Sequence, residues 1–400
     1  MELPPPIPVG ISESFPHSVF HQRHPKLIEQ VIEAHPYGAG QRRALSRLLT
    51  ESTTGVLERL EGDPADKQLW EDRGRPWWGR PWGEVPFLWA ESYFYRRLLE
   101  AVEYFEPGIW HGIDPFAPAK NAELSGPTVE AELSALADLA RSDDADAVGD
   151  ALVKSAVWGN QADLGFRLTT ASDTRTALLV DDTAVLWKTL AENEHATVAV
   201  IADNAGRELL PDLVLIDHLL TARGVAGVTL HLKPQPYYVS DATMTDLLAV
   251  LALLCGHPDQ HTRQIGLRLR RAIADGELSV RAHPFFCAPL EFRDMPPDLA
   301  TELAGSTITI LKGDLNYRRL VGDRYWPPTT DFAECVAYFP SPILALRTSK
   351  SDVAVGLSAG QVERLDRTDQ RWRTSGEHAV IQAAVPEHTA EGRRRGAASA

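Results

Sequence analysis

Residues 199–217 read AVIADNAGRELLPDLVLID. Ala199-Val200-Ile201-Ala202 is a run of β-branched and small apolar residues, the texture of a strand buried on both faces. It stops at Asp203-Asn204, and beyond Gly206 an apolar pattern of helical period runs from Glu208 to Ala222. A buried strand that feeds directly into a helix is half of a βαβ unit, so this stretch points to an α/β sheet with helical crossovers.

The same alternation continues from about residue 175. Thr197–Ala202, Val228–Leu232, Thr307–Leu311, Ile343–Arg347 and Val353–Leu357 read as strands, and Glu208–Ala222, Asp241–Leu254 and His261–Ala274 as helices. Near-continuous apolar strands with helices between them predict a three-layer α/β/α sandwich around a mostly parallel sheet. Upstream, apolar residues recur at helical spacing from Pro25 to Leu60, and a further helix spans Phe87 to Phe105. Between them lies a Trp-, Pro- and Gly-rich turn at 75–83, which reads as a packed contact of the lobe or a lid. Residues 107–128 read as an irregular connection, and the acidic run 142–146 as a solvated turn between helices. The predicted organisation is a helical N-terminal lobe (1–170), an α/β/α metal-binding catalytic domain (171–385) and a disordered Arg-, Gly- and Ala-rich tail (386–400).

Composition excludes several classes. A formal charge of −15 and a pI near 5.3 argue against a nucleic-acid surface, which needs a basic face to release counterions. No stretch approaches the roughly 18–20 apolar residues of a membrane span, and the Pro-rich start lacks a signal-peptide pattern. Three cysteines without CxxC spacing fit neither a disulfide framework nor a thiolate zinc site, which leads to a cytoplasmic expectation.

In open α/β sheets ligands bind beyond the carboxyl ends of the strands. Each of four predicted strand ends carries a polar cluster: Asp203-Asn204 with Glu208 one helical turn on; Lys233 through Asp241; Lys312-Gly313-Asp314-Leu315-Asn316-Tyr317-Arg318; and Arg347-Thr348-Ser349-Lys350. Hard divalent cations take carboxylate, carboxamide and water oxygens, so Asp203, Asn204 and Asp241 make a chemically sensible partial shell. Lys312, Arg318, Arg347 and Lys350 are cations in an otherwise acidic chain, suited to holding a phosphate. Taken singly, Asp203 or Asp241 is equally a helix N-cap and either lysine an exposed loop residue. Their coincidence at one sheet edge carries the functional reading.

Five ordered segments, Trp158–Leu164, Asp203–Leu209, Pro236–Thr243, Leu311–Asp323 and Arg347–Lys350, together with the Tyr93-Phe94-Tyr95-Arg96-Arg97 helix, resemble the metal-dependent damage-control phosphatase family. The likeness covers about residues 15–370 and is strongest to the branch also called acidic residue methyltransferases. The resemblance implies a divalent ion, Mn²⁺, Co²⁺, Ni²⁺ or Mg²⁺, held by Asp203, Asn204 and Asp241, which with Lys350 form the catalytic set. It also implies a phosphorylated small-metabolite substrate, such as a sugar phosphate, facing Asn160, Glu208, Lys312, Asp314, Asn316 and Arg318. The chain departs from the family at Ser349, where a larger residue such as Leu is common, and in its Trp-rich turn; both bear on substrate choice.

The expected activity is metal-dependent hydrolysis of a phosphate monoester, with Lys350 and Arg318 stabilising charge as the ester bond breaks and either water or the Asp203 carboxylate as nucleophile. Two alternatives stand beside it. One is a carboxyl methyltransferase using S-adenosylmethionine, for which Asp203-Asn204-Ala205-Gly206 is a poor glycine-rich turn. The other is a divergent member doing non-hydrolytic biosynthetic chemistry at the same metal site.

Overall fold

The computed structural model describes residues 2–62, 64–142, 144–159 and 177–386. Seven strands form one sheet: β1 (Ala177–Asp181), β2 (Thr197–Ile201), β3 (Gly227–Leu232), β4 (Leu278–Ala282), β5 (Ile308–Lys312), β6 (Ile343–Thr348) and β7 (His378–Ala384). Their order across the sheet is β1-β7-β6-β5-β2-β3-β4. The five strands from β6 to β4 are mutually parallel, with Val200 of β2 in register with Leu230 of β3 and Ile310 of β5. β7 lies antiparallel to β6 and carries β1 parallel to itself.

Period-two alternation explains why these strands read as unbroken apolar runs. Ala199, Ile201, Leu311, Ile343 and Ala345 face one core, shared with Phe20, Phe94 and Leu98 of the N-terminal helices. Val198, Val200, Leu230, Ile310 and Leu344 face the other, shared with Leu152, Leu213 and Leu251. The helices after β2 and β3 (Leu209–Thr221, Met244–Gly256 and Gln260–Asp275) cover this second face together with Pro127–Ala140 and Ala145–Trp158. Helices Phe87–Ala101, Pro297–Ala304 and Asp314–Val321 cover the first. The result is the expected three-layer α/β/α architecture with a helical N-terminal region.

Two expectations need correction. Val353–Leu357 is not a strand: it is an irregular buried segment whose carbonyls are taken by side chains, Val353 O by Arg347 Nη1 (2.6 Å) and Val355 O by Gln382 Nε2 (2.9 Å). A short apolar run reports burial, and the third layer of a fold can bury a loop as well as a strand. The 107–128 connection contains a helix, Ala117–Glu123, because Pro118 occupies its first turn, where no amide donor is needed. The Trp-rich turn is a lobe contact. Trp82 is buried, and Trp78 packs on Trp89 and Tyr93 of the neighbouring helix at 5.6 and 5.3 Å. Among the described residues, no helix is long and apolar enough to cross a membrane. The tail from 387 onward and Asn160 lie outside the described residues.

Candidate active site

β2 hands on to β3 on one side and β5 to β6 on the other, and the helices that follow leave toward opposite faces of the sheet. The crevice between the carboxyl ends of β2 and β5 is therefore the switch point at which such sheets bind ligands. A cavity of about 240 Å³ opens there.

Asp203-Asn204 follows β2 directly, and the loop after β3 is zipped onto it. Ala242 N donates to Asp203 O (2.9 Å), Ala205 N to Ser240 O (2.6 Å), and Asn204 and Asp241 form an antiparallel bridge. Two aspartates 38 positions apart in the chain thus stand side by side at the cavity wall. The Asp241 carboxylate is oriented by Tyr238 N (2.8 Å). The Asn204 carboxamide is fixed at both ends, donating to Glu208 Oε2 (2.9 Å) and accepting from Ser240 Oγ (2.8 Å). Burial pushes the Asp203 carboxyl well above the ordinary range, and the charges of Asp241 and Glu208 push it further.

The floor is Gly313, at φ +88° and ψ 170°, a conformation essentially reserved for glycine. A Cβ there would fall 1.8 Å from Asp203 Oδ2, so the carboxylate occupies the space a side chain would need. Behind it Asn316, fully buried, donates from Nδ2 to Ala202 O (3.0 Å) and Lys312 O (2.9 Å). It does not line the cavity. Its Nδ2 ties the ends of β2 and β5 together, and its Oδ1 is buried without a partner among the described residues.

The four expected cations divide by what they are tied to. Lys312 Nζ lies 2.8 Å from Asp212 and also donates to Ala156 O, while the Asp212 carboxyl is pushed up to about 6 by burial. Arg318 makes a two-pronged contact with Asp323 (2.9 and 2.9 Å) and reaches Glu91 (2.8 Å). Both side chains line the cavity with their charge already matched. Arg347 is buried away from the cavity, stacked 4.4 Å over Tyr317, and pairs with Asp314 at 2.7 Å. Burial alone would raise the Asp314 carboxyl, but Arg347 and Arg318 bring it below the ordinary range. Lys350, 45% exposed in its side chain, stands 3.7 Å from Glu208; burial favours its neutral form, but Glu208, Asp203 and Asp314 outweigh this and keep it protonated.

Glu91, Glu208, Asp212 and Asp314 thus each have a cation of the chain beside them. Asp203 and Asp241 have none in ion-pair contact among the described residues. Lys233 and Lys350 act on Asp203 only from a distance. Among the described residues no three His, Cys, Asp or Glu side chains gather as a metal cluster, so the oxygen donors available at this point are two carboxylates and the Asn204 carboxamide.

Three groups near the cleft carry no motif signal in the sequence. Arg23 and His24 line it from the N-terminal lobe. Lys120, 3% exposed, donates to Asp241 O (2.8 Å) while paired with Asp114 (2.8 Å) and Asp246 (3.0 Å). Asp246 in turn caps helix Met244–Gly256 through Thr243. Lys120→Met is expected to destabilise the protein by about 3–5 kcal/mol, because it strands buried carboxylates. Urea unfolding measures the loss, and an unchanged midpoint would make this ion triad energetically idle.

Fold and cleft together define the class: a doubly wound α/β protein with a switch-point pocket built of carboxylates and cations. Residues 19–365 match the damage-control phosphatase ARMT1-like domain, and the chain belongs to that family. It is 33% identical to Damage-control phosphatase ARMT1 of Danio rerio over 76% of this chain and 75% of that protein. The protein of the same name from Xenopus laevis is 29% identical over 96% of this chain and 99% of its own length. A solved structure of a DUF89 family protein from Pyrococcus horikoshii aligns over 84% of this chain and 92% of that one, with a TM-score of 0.48 and 15% identity.

Proposed function

We propose that this protein is a metal-dependent phosphatase that hydrolyses a phosphate monoester of a small metabolite, of the sugar-phosphate kind. The observation that carries the reading is the charge pairing in the cleft. Among the described residues every cleft carboxylate is matched by a cation except Asp203 and Asp241, two neighbouring negative charges that fit one divalent ion. With Asn204 they offer a hard, all-oxygen donor set, suited to Mg²⁺, Mn²⁺, Co²⁺ or Ni²⁺, that leaves positions for water and substrate. When bound, such an ion supplies Lewis-acid polarisation of a phosphoryl oxygen.

The chain's own groups do the rest. Lys350, protonated and half exposed, donates to a phosphoryl oxygen and offsets the charge that builds as the ester bond breaks. Gly313 lets the Asp203 carboxylate sit against the backbone at the start of helix Asp314–Val321. Glu208, held by Asn204 and Lys350, presents an acceptor to substrate hydroxyls or to an attacking water. Arg318 fixes Glu91 and Asp323 and keeps the far wall rigid. A 240 Å³ cavity is smaller than the roughly 300–1,000 Å³ of drug-sized ligands, which suits one small metabolite better than a nucleoside cofactor beside a substrate.

The test is phosphate release from a panel of sugar phosphates with Mn²⁺ and with a chelator. Release from at least one, abolished by the chelator, is expected. No release from any, with Mn²⁺ tightly bound, would instead assign the site to non-hydrolytic chemistry.

A further inference from the structure

Among the described cations that line the cleft, the charge pairing leaves Arg23 over. Arg23 lines the cleft from the N-terminal lobe and is exposed, and among the described residues it makes no hydrogen bond or ion pair. Its guanidinium lies over the Phe15 ring, 5.9 Å from the centroid. It lies within electrostatic reach of Lys350 and of Glu91.

The backbone brings it there by an uncommon device. Phe15–Ser18 and His24–Ala34 are α-helical, but Val19–Arg23 between them is a π-turn, closed by the His24 N–H on Val19 O. In a regular α-helix each step of four residues rotates by about 40°, so Phe15, Val19, Arg23 and Leu27 would swing roughly 120° around the axis. The wider π-turn takes part of that rotation back, and all four line the cleft. Such turns are rare and concentrate at functional sites. A second observation points the same way. His24, 1% exposed and stacked 3.6 Å on Phe94, also lines the cleft, and neither of its ring nitrogens has a hydrogen-bond partner. A buried imidazole without partners is costly unless a ligand supplies one.

We propose that Arg23 is a substrate-binding residue that grips the phosphoryl group from the N-terminal helices, with His24 beside it as a polar contact for the substrate. This rests on the phosphatase reading and adds the N-terminal lobe to the ligand site. The guanidinium fork suits two phosphoryl oxygens at once, and Lys350 then contributes from the sheet edge as a point charge.

The test is calorimetric titration of the Mn²⁺-loaded protein with inorganic phosphate, using wild type, Arg23→Gln and Arg23→Lys. Arg23→Gln is expected to weaken phosphate binding roughly 10- to 100-fold, the loss typical of a charge-assisted hydrogen bond. Arg23→Lys should recover part of this, since the charge remains and the fork does not. Direct Mn²⁺ titration should give equal affinities for all three. Phosphate affinity of Arg23→Gln within twofold of wild type overturns the proposal, as does a parallel loss of Mn²⁺ affinity. If Mn²⁺-loaded wild type itself binds no phosphate, the phosphatase reading falls and takes this inference with it.

Discussion

Asp203→Asn should make the metal-free protein more stable and the enzyme inactive. The Asp203 carboxyl sits well above its ordinary 3.8 because of burial, Asp241 and Glu208. Holding it ionised near neutral pH therefore costs folding free energy. The sign follows from linkage. A carboxyl raised in the folded state stabilises the fold fully below pH 3.8, and that stability is lost as pH rises through the folded value. The isosteric amide removes the cost, so the variant is expected to be the more stable at pH 7, with the gain vanishing below about pH 3.8. Added Mn²⁺ should reverse the ranking. A ligand at 100 times its Kd stabilises by about 2.7 kcal/mol, and only wild type retains the two charges that bind it. Phosphate release should fall by about a thousandfold or more, as expected when a group needed in the transition state is lost. Asp241→Asn should lose activity to the same degree, and it also disturbs the hydrogen bond that the carboxylate accepts from the Tyr238 amide. Melting curves with and without Mn²⁺, beside release assays, check both; activity retained in either variant would remove the aspartate pair from the mechanism.

Gly313→Ala is the second large effect, and it tests geometry rather than charge. The new methyl would lie 1.8 Å from Asp203 Oδ2 and 2.0 Å from its Cγ, so the carboxylate must move. The backbone conformation adds about 1–3 kcal/mol of strain for a residue with a Cβ. We expect a cooperatively folded but less stable protein, weaker Mn²⁺ binding and phosphate release lowered by about two orders of magnitude. Gly224→Ala is the control. It has a positive φ of +62° with open space around the added methyl, so it reports the cost of a positive-φ alanine without touching the cleft. Equal activity losses in the two variants would mean that strain alone, and not displacement of Asp203, is responsible.

What could be read along the chain was local. The Ala199–Ala202 run, its polar stop and the helix after it specified a βα unit, because strand and helix periodicities are properties of neighbouring residues. The repetition of that unit specified the sheet, and parallel strands place all their carboxyl ends on one edge. That is why Asp203, Asn204, Asp241, Asp314 and Lys350 could be grouped before any coordinates. The edge strands escaped notice for the converse reason. β4 and β1 are both half exposed, so neither carries a clean apolar pattern, and the inner strand β7 was passed over as well, while the buried Val353–Leu357 loop imitates a strand.

The sequence by itself determined the α/β architecture and the identity of the polar groups at one sheet edge. Only the tertiary structure decided what those groups face. Partner choice among charges is set by distances between segments far apart in the chain, as with Arg318 and Glu91, 227 positions from each other. Four look-alike cations therefore resolved into three tied to buried carboxylates and one, Lys350, half exposed. The remaining cation came from a helical lobe with no motif to announce it, brought to the cleft by one wide turn at Val19–Arg23. Periodicity is written in neighbouring residues, whereas the charge balance of a cleft is settled only when distant elements pack and exclude water.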